Sequence, residues 1–229
     1  MSRLILIDSA PIPGGGEMRL LQDGEHYSIK VVGAGDLMST RTHGSEDQLG
    51  DLTCAPLARK SDARVLIGGL GMGFTLAAAL RHLDTNAEVV IAELVPAVVS
   101  WNRGPLGAHA GFPLRDSRSQ VRETDVAALI RASRESFDAI LLDVDNGPEG
   151  LTHSRNGWLY TASGLAAIRS ALRPAGVLAV WSAGPNADFT RRLQQCGYSV
   201  DERTVRAHAN RGARHRIWLA MRPVAAKGG

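Results

Sequence analysis

Cysteine is nearly absent from this chain: Cys54 and Cys196 are the only two, in no CxxC or metal-type spacing. That excludes a disulfide framework and a zinc knuckle, and leaves two free structural thiols in segments of helical pattern, with no metal site expected. Long apolar runs are missing too. The longest uncharged stretch, residues 65–80, lies between Arg64 and Arg81 and holds four glycines, which is short of the ~20 apolar residues a bilayer span requires. The opening run from Leu4 to Ile7 is too brief for a signal-peptide core, so a cytoplasmic location without membrane attachment is expected. Acids run out after Glu202, where Arg203, Arg206, Arg211, Arg214, Arg216 and Arg222 crowd the closing segment although the net charge is only +3. Aromatics make up 5% of the chain, and no stacking series interleaves those arginines. A solvated edge hairpin is therefore preferred to a polyanion-binding surface, and nucleic acid is disfavoured as a partner.

What is present is the composition of one folded core: 229 residues, 44% hydrophobic and 21% charged, with no low-complexity tract. From Arg64 onward, short β-branched runs alternate with helix-like stretches, the pattern of a parallel sheet covered on both faces. Strands are predicted at 64–67, 88–93, 120–124, 138–143 and 177–182, with helices at 74–82, 96–103, 126–133 and 162–172. Arg173-Pro174-Ala175-Gly176 reads as the stop and turn after the last of these. A helix at 186–196 then precedes strands at 199–205 and 215–222, joined by a loop at 208–213. The expected fold is thus α/β, a Rossmann-like methyltransferase sheet of five parallel strands plus a C-terminal antiparallel hairpin.

Residues 1–60 have a different texture. Apolar runs at 3–7, 18–21 and 27–32, separated by Pro11-Ile12-Pro13-Gly14-Gly15-Gly16 and Asp23-Gly24, predict a small antiparallel β flap. A helix from Glu46 to about Arg59 follows, with Ser45 and Gln48 at capping-box spacing. The domain division expected is 1–60 for the flap and linking helix and 61–229 for the nucleotide-binding catalytic domain.

The strongest motif is Val65-Leu66-Ile67-Gly68-Gly69-Leu70-Gly71-Met72-Gly73, a strand running into a glycine-rich turn and then a helix. Glycine suits both the sharp turn and a closely approaching ligand, and the helix N-terminus offers free N–H groups. Gly68, Gly69, Gly71 and Gly73 are the candidate ligand-binding glycines. Glu93 ends the next strand, where an acid can accept both ribose hydroxyls of an adenosine ligand. A GxGxxG reading would need glycine at Phe74, so a nicotinamide dinucleotide is disfavoured. Asp125 follows the third strand, where its carboxylate can meet an adenine amino group while the N–H of Val126 meets a ring nitrogen; Asp125 is equally a helix N-cap.

The fourth strand ends Asp143-Val144-Asp145-Asn146-Gly147-Pro148-Glu149, at the sheet edge where open α/β folds bind ligands. Carboxylates there favour a sulfonium donor and can deprotonate an amine acceptor. Asp143 is the first candidate base or amine anchor and Asp145 the second. Trp158-Leu159-Tyr160 supplies either an acceptor-pocket wall, with Tyr160 orienting the substrate, or a core aromatic pair. His43 and His153 are further candidates for proton transfer.

Together these residues resemble the spermidine synthase family, the polyamine aminopropyltransferases, from about Met18 to Trp218. The flap ending Glu46-Asp47-Gln48, the glycine turn, Glu93, Asp125, the Asp143 turn and Leu159-Tyr160 fall in family order. The resemblance implies a flap over the donor, a nucleoside held by the turn and Glu93, an amine activated by Asp143, and a homodimer. Two departures stand out. The family's aspartate inside the glycine turn is missing, and its second acid, three residues after the first, is Asn146 here. The first departure makes methyl transfer from S-adenosylmethionine to a small amine-bearing molecule the leading expectation. Aminopropyl transfer from decarboxylated S-adenosylmethionine to a polyamine is the alternative, and a non-catalytic nucleotide-binding protein is a third reading.

Overall fold

Alternating apolar residues near the amino end build an antiparallel sheet. In the computed structural model, which describes residues 4–33, 35–144, 147–148, 156–208 and 211–224, strands β1 (Ile5–Pro11), β2 (Glu17–Asp23), β3 (His26–Val31) and β4 (Gly35–Ser39) pair in sequence order. Leu20 and Ile29 oppose each other across β2 and β3 and are buried, which gives this sheet an inner face. β4 is a strand the sequence pattern does not announce. Gly33 and Gly35 take φ of 83° and 94° to reverse the chain, and five residues opening on glycine carry almost no periodic signal. β1 also runs past Ile7 to Pro11, through a register shift between Leu6 and Asp8.

Helix α1 (Gly44–Cys54) follows. Its N-cap position is held by His43, without a side-chain cap. Ser45 lies inside the first turn and donates its hydroxyl to Glu46, so the capping box expected from Ser45 and Gln48 is not formed. The helix stops at Cys54 rather than near Arg59, because Pro56 sits in the 3-10 turn Ala55–Leu57 that follows.

The larger sheet has five parallel strands, β5 (Arg64–Gly68), β6 (Glu88–Glu93), β7 (Ser119–Glu123), β8 (Phe137–Leu142) and β9 (Leu172–Ser182). The hairpin β10 (Ser199–His208) and β11 (Arg211–Met221) joins its edge, β11 antiparallel to β9. The order is β10-β11-β9-β8-β5-β6-β7. Helices α2 (Phe74–His82), α3 (Pro96–Arg103), α4 (Val126–Arg131), α5 (Ala162–Ala171) and α6 (Ala187–Gln195) connect the strands. Strand residues alternate between two cores. Val65, Ile67 and Ile91 pack with α1, α2, α3 and the small sheet, whereas Leu66, Val90 and Ile140 pack with α4, α5 and α6. Burial on both faces is what makes these strands read as continuous apolar runs.

One turn prediction is corrected. Arg173-Pro174-Ala175-Gly176 lies inside β9, where pairing with β8 jumps from Phe137↔Leu172 to Ala139↔Val177 and Ala175 takes φ of 64°. Arg222 bonds to Ala175 N–H and Gly176 O through its own backbone, and Arg173 pairs with Asp138 at 2.7 Å. The turn residues therefore form a bulge, and the strand begins five residues earlier than its apolar pattern. The hairpin strands likewise run further than predicted, β10 to His208 and β11 from Arg211. Cys54 and Cys196 are free thiols. No helix among the described residues is long and apolar enough to cross a membrane, and no metal-type cluster of His, Cys, Asp or Glu occurs among them.

α1 lies against α2 because Gly50 has no side chain. A Cβ there would stand 2.5 Å from Ala78 Cβ and 2.7 Å from the Thr75 carbonyl oxygen. Gly50→Ala should gain helix propensity yet lose stability by ~1–3 kcal/mol through overpacking. Urea unfolding measures this, and an unchanged midpoint would mean that the two helices do not press together at this point.

Candidate active site

The glycine turn and the end of β8 are fastened together through backbone. Gly69 N–H donates to Ala92 O at 2.9 Å, and Asp143 N–H donates to Gly68 O at 3.0 Å. Gly69 has φ of 86°, and a Cβ on it would lie 2.5 Å from the Asp143 carbonyl oxygen. A Cβ on Gly71 would lie 3.0 Å from Met38 Sδ of β4, so the small sheet closes over the turn. Gly69 and Gly71 border a cleft between the two sheets. Gly68 and Gly73 do not: Gly68 faces Val126 and Leu142, and Gly73 is the α2 N-cap against Asn102. Those two glycines serve packing.

Glu93 holds the turn from below. Its two oxygens accept Leu70 N–H and Val95 N–H, each at 2.8 Å. Burial raises its pKa against the pull of these donors. Asp125 caps α4 by accepting Ala127 N–H at 2.8 Å, and with Val126 it borders the cleft, so its two readings coexist.

At the other end of the cleft Asp143 is half-buried, and its Oδ2 accepts the Thr75 hydroxyl at 2.8 Å. Glu46, on the first turn of α1, borders the same space. Burial pushes Asp143 up to about 6, against the Thr75 hydroxyl. Burial and then the charge of Asp143 push Glu46 up to about 7. The cleft is walled by Ile12, Met18, Ile29, Val31, Leu37 and Met38 of the small sheet and by Trp181 of β9.

Tyr160 is not in this wall. Its ring packs edge-on to Phe189 in the core beneath the sheet, and its hydroxyl donates to Val144 O at 3.3 Å. It steadies the residue after Asp143 instead of reaching a substrate. Trp158 packs under the Arg131 guanidinium, 3.7 Å from the ring centroid, so the aromatic pair is structural, and the tryptophan that borders the cleft is Trp181. His43 stacks on Phe74 and bonds Asp47 at 2.8 Å, away from the cleft. Asp145, Asn146, Glu149 and His153 lie outside the described residues. Sequence reasoning missed Glu46 and Trp181. An acid in a helix's first turn is an ordinary dipole partner, and the place of Glu46 beside the glycine turn in family order was the one available hint.

Strand order, with its parallel strands and terminal hairpin, defines a Rossmann-like fold of the methyltransferase type. Solved structures agree: spermidine synthase from Thermotoga maritima superposes with a TM-score of 0.75 at 16% identity, covering 96% of this chain and 73% of that one. The 1,6-didemethyltoxoflavin-N1-methyltransferase of Burkholderia thailandensis does so at 0.56 and 19% identity, covering 79% of each. Residues 18–190 match the spermine/spermidine synthase domain, and the chain belongs to that family. Polyamine aminopropyltransferase 1 of Hyperthermus butylicus is 32% identical over 161 residues, 68% of this chain and 51% of the relative. The chain spans about half the length, or less, of the curated relatives it matches.

The raised carboxyls fix a sign for stability. A carboxyl whose pKa is higher folded than unfolded contributes stability that is complete below about pH 4 and is lost as pH rises through the folded values near 6 and 7. Asp143→Asn removes one charge of the pair while keeping an acceptor for Thr75. Relative to the parent, this variant should gain on the order of 2 kcal/mol between pH 5 and pH 8. Ligand-free thermal melts across that range measure it, and parallel curves would contradict the burial of two like charges.

Proposed function

We propose that this chain transfers an aminopropyl group from decarboxylated S-adenosylmethionine to a small amine. The observation that carries this reading is the charge of the cleft. Glu46, Glu93, Asp125 and Asp143 border it, and no Arg, Lys or His borders it among the described residues. An intact donor would bring a carboxylate into this surround, and two like unit charges ~5 Å apart at an effective dielectric of ~20 repel by on the order of 3 kcal/mol. The decarboxylated donor carries two cations, sulfonium and ammonium, and no anion. That outweighs the loss of an acid from the glycine turn, because Glu46 supplies a carboxyl from another element. The family and the names of the curated relatives support the same reading.

The chemistry is a displacement at the carbon attached to sulfur, to which the protein contributes alignment and electrostatics. Glu93 and Asp125 hold the nucleoside, Gly69 and Gly71 let it approach the backbone, and Asp143 takes the proton from the acceptor ammonium. The apolar wall of the small sheet suits an aliphatic acceptor and excludes water.

Methyl transfer is the second reading, favoured by Leu70 and Met72 standing where the turn could have carried an acid. Calorimetry should show the decarboxylated donor binding at least tenfold tighter than the intact one. Incubation with that donor and an aliphatic diamine should release methylthioadenosine. Tighter binding of intact donor, with adenosylhomocysteine as product, would establish methyl transfer in its place.

A further inference from the structure

We propose that Glu46 is a second acid of the reaction centre, and that it and Asp143 hold the acceptor ammonium between them. The inference rests on the reading of the acceptor as an amine. Three elements meet at this point. The first turn of α1 brings Glu46, the first turn of α2 brings Thr75, and the end of β8 brings Asp143. The Thr75 hydroxyl lies 2.8 Å from Asp143 Oδ2 and 3.4 Å from the Glu46 carbonyl oxygen, tying the two acids to one pivot. Ser45 donates its hydroxyl to Glu46 Oε2 at 2.6 Å, fixing that carboxyl. The groups facing the pair are few. His43 acts on Glu46 through its charge, but it is engaged by Asp47 at 2.8 Å, and Glu93 and Asp125 stand further along the same cleft.

Two half-buried carboxyls facing one cleft, with no cation among the described residues bordering it, are a costly arrangement unless something positive arrives. A contrast lies on the same strand. Asp138, at the other end of β8, is more deeply buried and is paired with Lys60 at 3.0 Å and Arg173 at 2.7 Å. Among the described residues, no lysine or arginine pairs in this way with Glu46 or Asp143.

In the reaction, the acceptor enters as an ammonium and binds to both carboxylates. One proton passes from nitrogen to Asp143, leaving a neutral amine. Its lone pair forms the new N–C bond to the donor carbon while the C–S bond breaks, its electron pair remaining on sulfur as a thioether. The product nitrogen is again a cation, and Glu46, still ionised, offsets that charge. Asp143 then returns its proton to solvent.

The test uses Glu46→Gln, which keeps shape and the acceptor for Ser45, with melting temperature as the folding control. Binding of 1,4-diaminobutane, titrated in the presence of methylthioadenosine, should weaken at least tenfold, while methylthioadenosine binding itself changes by less than about twofold. In turnover, the acid limb of kcat/KM for the amine should move about one pH unit lower, since the acid pushed up to about 7 is gone and Asp143, at about 6, is the one that must ionise. Glu46→Asp should restore part of the amine affinity. Unchanged diamine binding and an unmoved acid limb would overturn the role of Glu46, as would a parent protein that binds no diamine. Failure of the aminopropyl reading shows separately, in the parent alone, as adenosylhomocysteine in place of methylthioadenosine.

Discussion

The contact between Gly69 and the Asp143 carbonyl is the constraint on which the site depends. β5 lies at the centre of the large sheet, with β6 on one side and β8 on the other. The chain first winds outward through β6 and β7, then returns to place β8 against the opposite edge of β5. Such reversals leave a crevice at the carboxyl ends of the strands. Here the crevice is closed from below by two backbone bonds, Asp143 N–H on Gly68 O and Gly69 N–H on Ala92 O, and by the Glu93 carboxyl, which accepts Leu70 N–H. Because the Asp143 carbonyl stands where a Gly69 side chain would be, the glycine turn and the end of β8 form one piece. A residue larger than glycine at position 69 would push Asp143 away from the turn.

Charge is distributed with the same economy. The chain is basic overall, with a sequence pI near 9.2, yet the cleft is acidic. Its cations are placed elsewhere. Arg203 and Arg216 of the terminal hairpin pair with Asp201 and Glu202, Arg64 with Glu88, and Arg118 with Asp116. These pairs are mostly part-exposed and contribute little stability each. What they do is leave the cleft without a competing cation. The arginine-rich closing segment, which in isolation suggested a polyanion surface, is partly neutralised within its own hairpin.

How much was legible follows from where the physics is local. β5, β6, α2 and α3 were bounded almost to the residue, because apolar runs buried on both faces end there at glycine, proline or an acid. The Arg173–Gly176 stretch has the composition of a turn and forms one in miniature, but Arg222 of the terminal strand, far along the chain, absorbs it into a sheet as a bulge. β4 was hidden by its glycines. Ser45 looked like a cap, yet its hydroxyl is taken by Glu46, whose own direction is set by the packing of α1 on α2. Tyr160 was placed correctly on the chain and misplaced in space, since nothing local tells which face of the sheet an aromatic will enter. Strand-end acids such as Glu93, Asp125 and Asp143 were legible because the topology brings every parallel strand end to one edge. Glu46 arrives from outside that topology, on a helix that precedes the sheet.

That origin divides the border of the cleft between two parts of the chain, the small sheet with α1 and the parallel strand ends. β4 rests Met38 on Gly71, and β1 is tied to α3 through Asp8 and the Trp101 indole N–H at 2.7 Å. The inner residues of this sheet share one core with α1, α2 and α3. A wall fixed in this way sets the width of the cleft through Ile12, Met18, Ile29 and Val31, while α1 brings Glu46 to its border. If the cleft takes the donor and the amine proposed above, the first sixty residues would read the length and charge of the acceptor, and the parallel strand ends would read the nucleoside. Changes in the small sheet would then alter which amine is accepted while leaving the glycine turn, Glu93 and Asp125 in place, because those three stand on the larger sheet.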